Sequence, residues 1–437
     1  MKIKKLTLTN FRRFRNFEID FHEQITVLVA RNGAGKTSVL DAIALGLGSF
    51  LTRLPLVSGI NPDKASDLLV PESGPKPPYM RIRCETFDGI VWDRTEKRDQ
   101  SRGTLRDIPE AQGLSQLHKL ADKFIDAENS ENPYELPIIA YYGTGRGVFD
   151  IPKRKKGFGK VFPRFQAYKS ALEARANFRQ LVEYFYFLSD QETQLQREAR
   201  SFDVQAPELE AVRRAVYAML PSFSNLEKAL PAGIKVDWKH DGESKELRIE
   251  QLSDGFRTTI AMVMDIAVRM AEANPQMPDP LFAQGIVLID EVDLHLHPGW
   301  QQHVLLDLMR VFPKIQFIVT THSPQVVSSV KPECVRVIDW QDGEAFVRPI
   351  QFSEGAEAQQ VLLDVLDVRS PRATDLEIVK KLGKYQELVA QNLWDTPEAV
   401  DLRRELDKWG AQKEPELRRL DIDIRLKTLG RRNETNK

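Results

Sequence analysis

The chain has 437 residues, 42% of them hydrophobic and 29% charged, which fits a folded protein of two or three compact units and excludes a disordered or fibrous chain. Its 62 basic and 63 acidic residues leave a formal charge of -1, so a global basic field is excluded and any nucleic-acid contact must rest on a local patch. Cys84 and Cys334 lack the paired spacing of a zinc site or disulfide framework, and no run approaches the roughly 20 apolar residues of a membrane span. The expectation is a cytoplasmic protein with no membrane association.

In chain order, apolar residues alternate at Ile3, Leu6 and Leu8 and again at Phe17, Ile19 and Phe21, predicting a strand pair that leads into a buried strand at Ile25 to Ala30. A glycine-rich stretch follows, and then Val39, Leu40, Ile43, Ala44 and Leu47 at helical spacing. The proline-rich segment 71–78 reads as a surface loop, and residues 80–93 return to strand alternation. A second apolar run, Leu136 to Tyr142, ends in Gly143-Thr-Gly-Arg146, where Arg146 is either a phosphate contact or a turn residue. Basic residues cluster from Lys153 to Arg164 as a candidate DNA contact or a solvated loop. Helical spacing runs from Ala167 to about Leu230, and strands resume around a turn at Asp241-Gly242. Thereafter the pattern predicts a helix over 258–273, a strand over 285–290, a helix over 299–311 and a strand over 315–320. Beyond 350 the chain is helical and charged.

Four segments carry chemistry. Ala30-Arg-Asn32-Gly33-Ala34-Gly35-Lys36-Thr37-Ser38 matches the phosphate-binding pattern G-x-x-x-x-G-K-[ST], with Ala30 in place of the first glycine. Main-chain N–H groups of such a loop converge on phosphate oxygens at a helix N-terminus. Lys36 is expected to reach the outer phosphates and Thr37 to hold Mg2+. Gly285-Ile-Val-Leu-Ile-Asp290-Glu291 is an apolar strand ending in two acids, Asp290 a candidate magnesium ligand and Glu291 a candidate base for the attacking water. Phe317 to Pro324 is a strand ending in His322, a candidate contact to the terminal phosphate or the water. Ser253 and Gly255, within Gln251 to Phe256, offer a hydroxyl and main-chain N–H groups just ahead of a helix.

The set resembles the ABC-type ATPase heads of the SMC, RecF and OLD-like group, with Leu252 to Phe256 at the position of their signature motif. The resemblance implies an α/β fold, an ABC-type P-loop ATPase head (mixed sheet with flanking helices) carrying a helical insertion and a helical C-terminal extension. The expected division is 1–150 and 234–350 for the two head lobes, 151–233 for the insertion and 351–437 for the extension. It further implies an ATPase using ATP and Mg2+, working as a homodimer in which Ser253 and Gly255 complete the nucleotide site of the opposite copy. Arg12, in Leu6 to Phe14, matches the family's nucleotide-approaching arginine, and Asp293-Leu-His295-Leu-His297-Pro298 matches the loop that follows the catalytic acid. Tyr141 to Arg146 stands where the family places a lobe-joining glutamine.

Within the group, these stretches look most like anti-phage defence ATPases of the Septu and retron-associated kind, which pair with an HNH-type nuclease. No nuclease signature follows Glu354, so DNA cleavage is expected from a partner docked on the tail, unless the tail is only a structural cap. The alternative is a RecF-like repair ATPase without a nuclease partner; a transporter subunit suits neither the tail nor the His-Leu-His-Pro run.

Overall fold

The computed structural model describes residues 1–71, 74–147, 163–174, 179–229 and 233–435, which form two compact units, Met1–Val361 and Leu362–Lys437. In the first, the N-terminal alternation becomes β1 (Ile3–Phe11) and β2 (Phe14–Asp20), burying Ile3, Leu6, Leu8, Phe17 and Ile19 on one face while Lys4, Glu18 and Asp20 stay exposed. β3 (Ile25–Val29) leads through the glycine loop into α1 (Lys36–Leu51). β4 (Tyr79–Thr86) and β5 (Val91–Lys97) complete an antiparallel sheet of order β2-β1-β4-β5. Next come α2 (Ser115–Asn129), β6 (Ile138–Tyr142), α3 (Arg179–Ala199) and α4 (Pro207–Met219). The small antiparallel sheet of β7 (Phe223–Lys228), β8 (Ile234–His240) and β9 (Glu243–Arg248) precedes α5 (Asp254–Ala273). The first unit continues through β10 (Gly285–Ile289), α6 (Val304–Val311), β11 (Ile315–Thr320), β12 (Val335–Gln341) and β13 (Glu344–Arg348).

The principal sheet has the order β13-β12-β3-β11-β10-β6, parallel except for the edge strand β13. β3, β6, β10 and β11 are buried at every residue, which is why their sequences are apolar throughout and do not alternate. Because they are parallel, the chain leaves all four at one edge, where α/β sheets bind ligands. Gln316 ties this sheet to the antiparallel one: its Oε1 accepts from Ile3 N at 2.7 Å, and its Nε2 donates to Ile3 O at 2.7 Å and His22 O at 2.9 Å. A fully buried amide is tolerated on β11 because these three bonds use it well.

The predicted helical stretch 167–230 needs correction at its end, since Phe223–Lys228 is a strand paired antiparallel with β8. Phe223 and Leu226, three apart, read locally as a helix face; the neighbouring strand decides otherwise. The helix expected over 299–311 is divided into Pro298–Gln301 and α6. Residues 153–162 of the basic cluster lie outside the described residues. Arg164 is described, and it acts inside the fold: Nε donates to Ala273 O at 2.7 Å, Nη2 to Tyr134 O at 2.8 Å, and the guanidinium lies 3.7 Å from the Tyr134 ring centroid.

In the second unit, α7 (Glu377–Ala390), α8 (Pro397–Trp409) and α9 (Pro415–Thr435) bury Leu382, Tyr385, Val389, Ala399, Leu406, Leu417 and Leu420 together. Trp409, which helical spacing assigns to the same face as Leu402 and Leu406, remains 42% exposed.

α5 is the central helix of the first unit, buried continuously from Thr258 to Ala273. Polar side chains on it are therefore paired: Tyr142 Oη and Arg269 Nε each donate to Asp265 Oδ2 at 2.7 Å. Glu272 is 2% exposed, and burial pushes its carboxyl up to about 7 against the opposing bond from Gln180 and the charge of Arg269. A folded-state value above the ordinary carboxylate range means the folded chain holds a proton that the unfolded chain releases, so this stability is present at low pH and lost as pH rises toward and through 7. Glu272→Gln is therefore expected to raise the melting temperature at pH 8, by on the order of 2 kcal/mol of stability, with the gain shrinking toward pH 5. Melting curves of both proteins at the two pH values check this, and an equal gain at both would refute it.

Candidate nucleotide-binding site

After β3 the chain turns through a compact loop in which Ala34 N donates to Arg31 O at 3.1 Å and Gly33 and Gly35 have φ of +73° and +109°. Gly35 is doubly required, since a Cβ there would sit 2.5 Å from Phe14 Cζ. Ala30 stands outside the positive-φ residues, so its methyl group does not obstruct the loop where the motif usually has glycine. Asn32 and Gly33 form the exposed rim, and Ser38 lies in the first turn of α1. That turn has no acidic residue, so the positive end of the helix is left for an incoming anion. Lys36 is buried, and its Nζ donates to Ala30 O at 2.9 Å. Burial lowers its ammonium pKa while Asp290, Glu291 and Asp293 oppose that effect.

Sheet order brings the remaining predicted groups to this loop. β11 lies between β3 and β10, so the residues leaving β11 stand between the loop and the two acids. Thr37 Oγ1 donates to Asp290 Oδ2 at 2.9 Å across 253 residues of sequence. Thr320 Oγ1 donates to Asp290 Oδ1 at 2.6 Å and accepts from Glu291 N at 2.7 Å. Glu291 has φ +50°, an unusual conformation for a residue with a Cβ, and it turns the chain immediately after Asp290. Thr321 Oγ1 donates to Asp293 Oδ1 at 2.5 Å and accepts from Ser323 N at 2.9 Å. Between them His322 is exposed, with its pKa lowered first by desolvation and next by Lys36, against the acids Asp293, Glu291 and Asp290. A neutral imidazole at neutral pH can donate from one nitrogen and accept at the other.

A hydroxyl and a carboxylate oxygen 2.9 Å apart, beside a lysine and a free helix N-terminus, fit a hard divalent cation that retains several waters and shares its remaining positions with phosphate. Asp290 is only 4% exposed; its Oδ1 accepts from Thr320, and its Oδ2, beside Thr37, is the oxygen on the side such a cation would take.

Arg12, predicted as a nucleotide contact, is held by its own lobe: Nη1 donates to Asp41 Oδ2 at 2.5 Å and to Ser38 Oγ at 3.4 Å, and Nε to Asp67 Oδ1 at 2.9 Å. Asp41 also accepts from Tyr141 Oη at 2.8 Å, joining β6 to α1. The neighbouring Arg13 reaches the loop itself, donating to Gly33 O with its guanidinium 4.2 Å from the Trp340 ring centroid, while Trp340 Nε1 donates to Ala34 O at 3.0 Å. Thr320, Arg13 and Trp340 were not singled out by the sequence. The Thr-Thr pair ahead of His322 was a legible signal; nothing local marks Trp340, which arrives from β12.

Arg146, read from the sequence as a phosphate contact or a turn residue, lies in the turn Thr144–Gly147 and donates to carbonyls: Nη1 to Asp290 O at 2.6 Å and Gly143 O at 3.1 Å, Nη2 to Glu291 O at 2.6 Å. Ser253 caps α5 by position, without a side-chain cap bond. Gly255 is required by close approach, since a Cβ would lie 2.5 Å from His295 O in the loop that follows Glu291. Phe256 packs edge-on against Trp300, ring centroids 4.4 Å apart, and against Phe223 at 5.1 Å. His297 Nδ1 accepts from Gly299 N at 3.2 Å, which caps the short helix after it.

Comparison with known proteins bears on this geometry. An AAA domain family matches residues 5–219. The "Retron Ec83 probable ATPase" of Escherichia coli is 27% identical over 97% of this chain and 86% of its own length. The Septu protein PtuA of Bacillus mycoides is 26% identical over 79% of this chain and 42% of its own length. A 47-residue stretch is 49% identical to the DNA double-strand break repair Rad50 ATPase of Saccharolobus solfataricus, covering 11% of this chain and 5% of that protein. With its phosphate loop and paired acids, the chain carries a match to an AAA domain over residues 5–219 and is similar along most of its length to the retron and Septu ATPases.

Proposed function

We propose that the protein hydrolyses Mg2+-bound ATP as a homodimer in which each nucleotide is closed off by the opposite copy, and that this cycle regulates a partner HNH-type nuclease in an anti-phage defence complex. The observation that carries the reading is the Thr37–Asp290 hydrogen bond, which joins the phosphate loop to the acid-bearing strand through a pair of atoms suited to a magnesium ion. A cation there would draw charge from the phosphates. Lys36, now on a neutral carbonyl, gains a stronger partner in an anionic phosphate oxygen. Main-chain N–H groups of Gly33 to Ser38 cradle the remaining oxygens, with Asn32 and Ala34 shaping the loop and Arg12 fixing Ser38 and Asp41 beneath it. Glu291 accepts a proton from the attacking water, and neutral His322 hydrogen-bonds the terminal phosphate or that water.

Ser253 and Gly255 act in trans in this reading. An exposed serine hydroxyl that makes no cap bond, at the N-terminus of a 20-residue helix, supports a role toward an anion on another copy. The defence assignment rests on likeness to the retron and Septu ATPases over 97% and 79% of this chain. The partner nuclease, DNA as the ultimate target and a cytoplasmic setting belong to the same proposal. Among the described residues no helix is long and apolar enough to cross a membrane.

Nucleotide binding and turnover test the core of the reading. Lys36→Ala is expected to abolish ATP binding by the purified protein. Glu291→Gln is expected to bind ATP normally, to lose about 100-fold or more in kcat and to accumulate as an ATP-bound dimer on size exclusion; normal turnover would remove Glu291 as the base. Thr320→Val, which strips one bond from a buried carboxylate and another from Glu291 N, is expected to lower kcat by about tenfold or more, whereas Thr320→Ser preserves it. In mixed dimers Ser253→Arg should silence only the site opposite the altered copy, as measured by single-turnover amplitudes. Copurification of an HNH-type nuclease with the protein expressed from its own genomic neighbourhood tests the defence reading.

A further inference from the structure

Glu291 is held in a left-handed backbone conformation, and its main chain is gripped from two sides. Its N–H donates to Thr320 Oγ1, and its carbonyl accepts from Arg146 Nη2 at 2.6 Å. The same guanidinium holds Asp290 O at 2.6 Å through Nη1, and Arg146 is 4% exposed. Such a placement is costly for a cation. Desolvation lowers the Arg146 pKa, and the carboxylates of Asp290, Asp293 and Glu291 offset this from a distance.

The choice of partners is informative. With three carboxylates near enough to act on it, Arg146 bonds, among the described residues, only main-chain carbonyls, at Gly143, Asp290 and Glu291. An ion pair would have consumed a carboxylate needed elsewhere. Asp290 instead gives its oxygens to Thr37 and Thr320, and among the described residues the Glu291 carboxylate takes no hydrogen bond, which leaves it available to a water. The planar fork of a guanidinium suits two successive carbonyls, and a lysine ammonium can satisfy them only one at a time. The short 3-10 turn Thr144–Gly147, directly after β6, aims the fork; β6 is itself registered to β10, with Asp290 N donating to Tyr142 O at 2.8 Å.

We propose that Arg146 is a positioning residue that locks the Asp290–Glu291 turn, so that Glu291 projects its carboxylate at the hydrolytic water without being neutralised. The inference rests on the ATPase reading and adds to it the residue that makes Glu291 effective. Loss of the fork frees a strained turn and lets the carboxylate wander, which lowers the rate of the chemical step while leaving nucleotide binding to the loop around Lys36.

The test is steady-state ATPase kinetics of the full-length protein and its Arg146→Ala, Arg146→Lys, Glu291→Gln and Arg146→Ala/Glu291→Gln variants, with ATP affinity and melting temperature measured alongside. Arg146→Ala is expected to lose at least tenfold in kcat, with ATP affinity within about threefold of the unaltered protein, and Arg146→Lys to recover part of that loss. In the Glu291→Gln background the same alanine change is expected to cost less than about twofold, because the group being positioned is gone. Should Arg146→Ala fail to fold, Arg146→Lys carries the test, with kcat reduced at least threefold at unchanged affinity and melting temperature. Unchanged kcat in a folded Arg146 variant overturns the inference alone. An equal loss in both backgrounds, or affinity and melting temperature falling in parallel with kcat, likewise overturns it and makes Arg146 a fold residue. Absence of turnover by the unaltered protein would instead overturn the ATPase reading, and this inference with it.

Discussion

The site depends on a single carboxylate shared between two threonines. Asp290 sits at the end of a fully buried strand, and one of its oxygens is bonded by Thr37 from the phosphate loop while the other is bonded by Thr320 from the intervening strand. Neither bond forms unless β3, β11 and β10 lie side by side in that order. The interaction therefore reports the assembly of the parallel sheet as a whole. It is also energetically demanding, since a carboxylate 4% exposed must have its lone pairs used or else change its protonation state.

Around that carboxylate, main chain does most of the fixing. Asp290 N is held by Tyr142 O, Asp290 O and Glu291 O by Arg146, Glu291 N by Thr320 Oγ1 and Val292 N by Thr320 O. The backbone is thus held on both sides, while the Glu291 carboxylate takes no hydrogen bond among the described residues. The same strand end extends the grip deeper. Tyr142 bonds Asp265 on α5 through its hydroxyl, so the helix that begins at Ser253 and the strand that delivers the acids share one buried polar network. Tyr142 thus touches both, through its hydroxyl to Asp265 on α5 and through its carbonyl to Asp290 N.

Where the sequence misled, the reason was local reading of a non-local fact. Phe223 and Leu226 are spaced as a helix face would be, and become a strand because β8 offers main-chain partners. Arg164 was read with a basic run as a DNA contact or a solvated loop, yet it lies against the Tyr134 ring and donates to two carbonyls within the first unit. Arg146 does lie in the turn that the sequence suggested, and what the sequence could not give is its service to carbonyls that follow it by more than 140 residues.

The sequence by itself determined the chemistry on offer. The glycine loop with Lys36 and Thr37, the apolar strand ending in Asp290 and Glu291, and the strand before His322 are each local patterns, because a phosphate loop or a buried parallel strand constrains its own residues directly. It also determined most of the elements, since burial on both faces writes continuous apolar runs and burial on one face writes alternation. Tertiary structure alone decided which residues serve those groups. Local pattern marked Arg146 and the Thr-Thr pair but not their partners, and it marked neither Arg13 nor Trp340, for their roles are set by strand order and by which carbonyl or ring each side chain meets across the sheet edge. Spacing along a chain records periodicity, whereas partnership between distant side chains exists only once the sheet has closed around them.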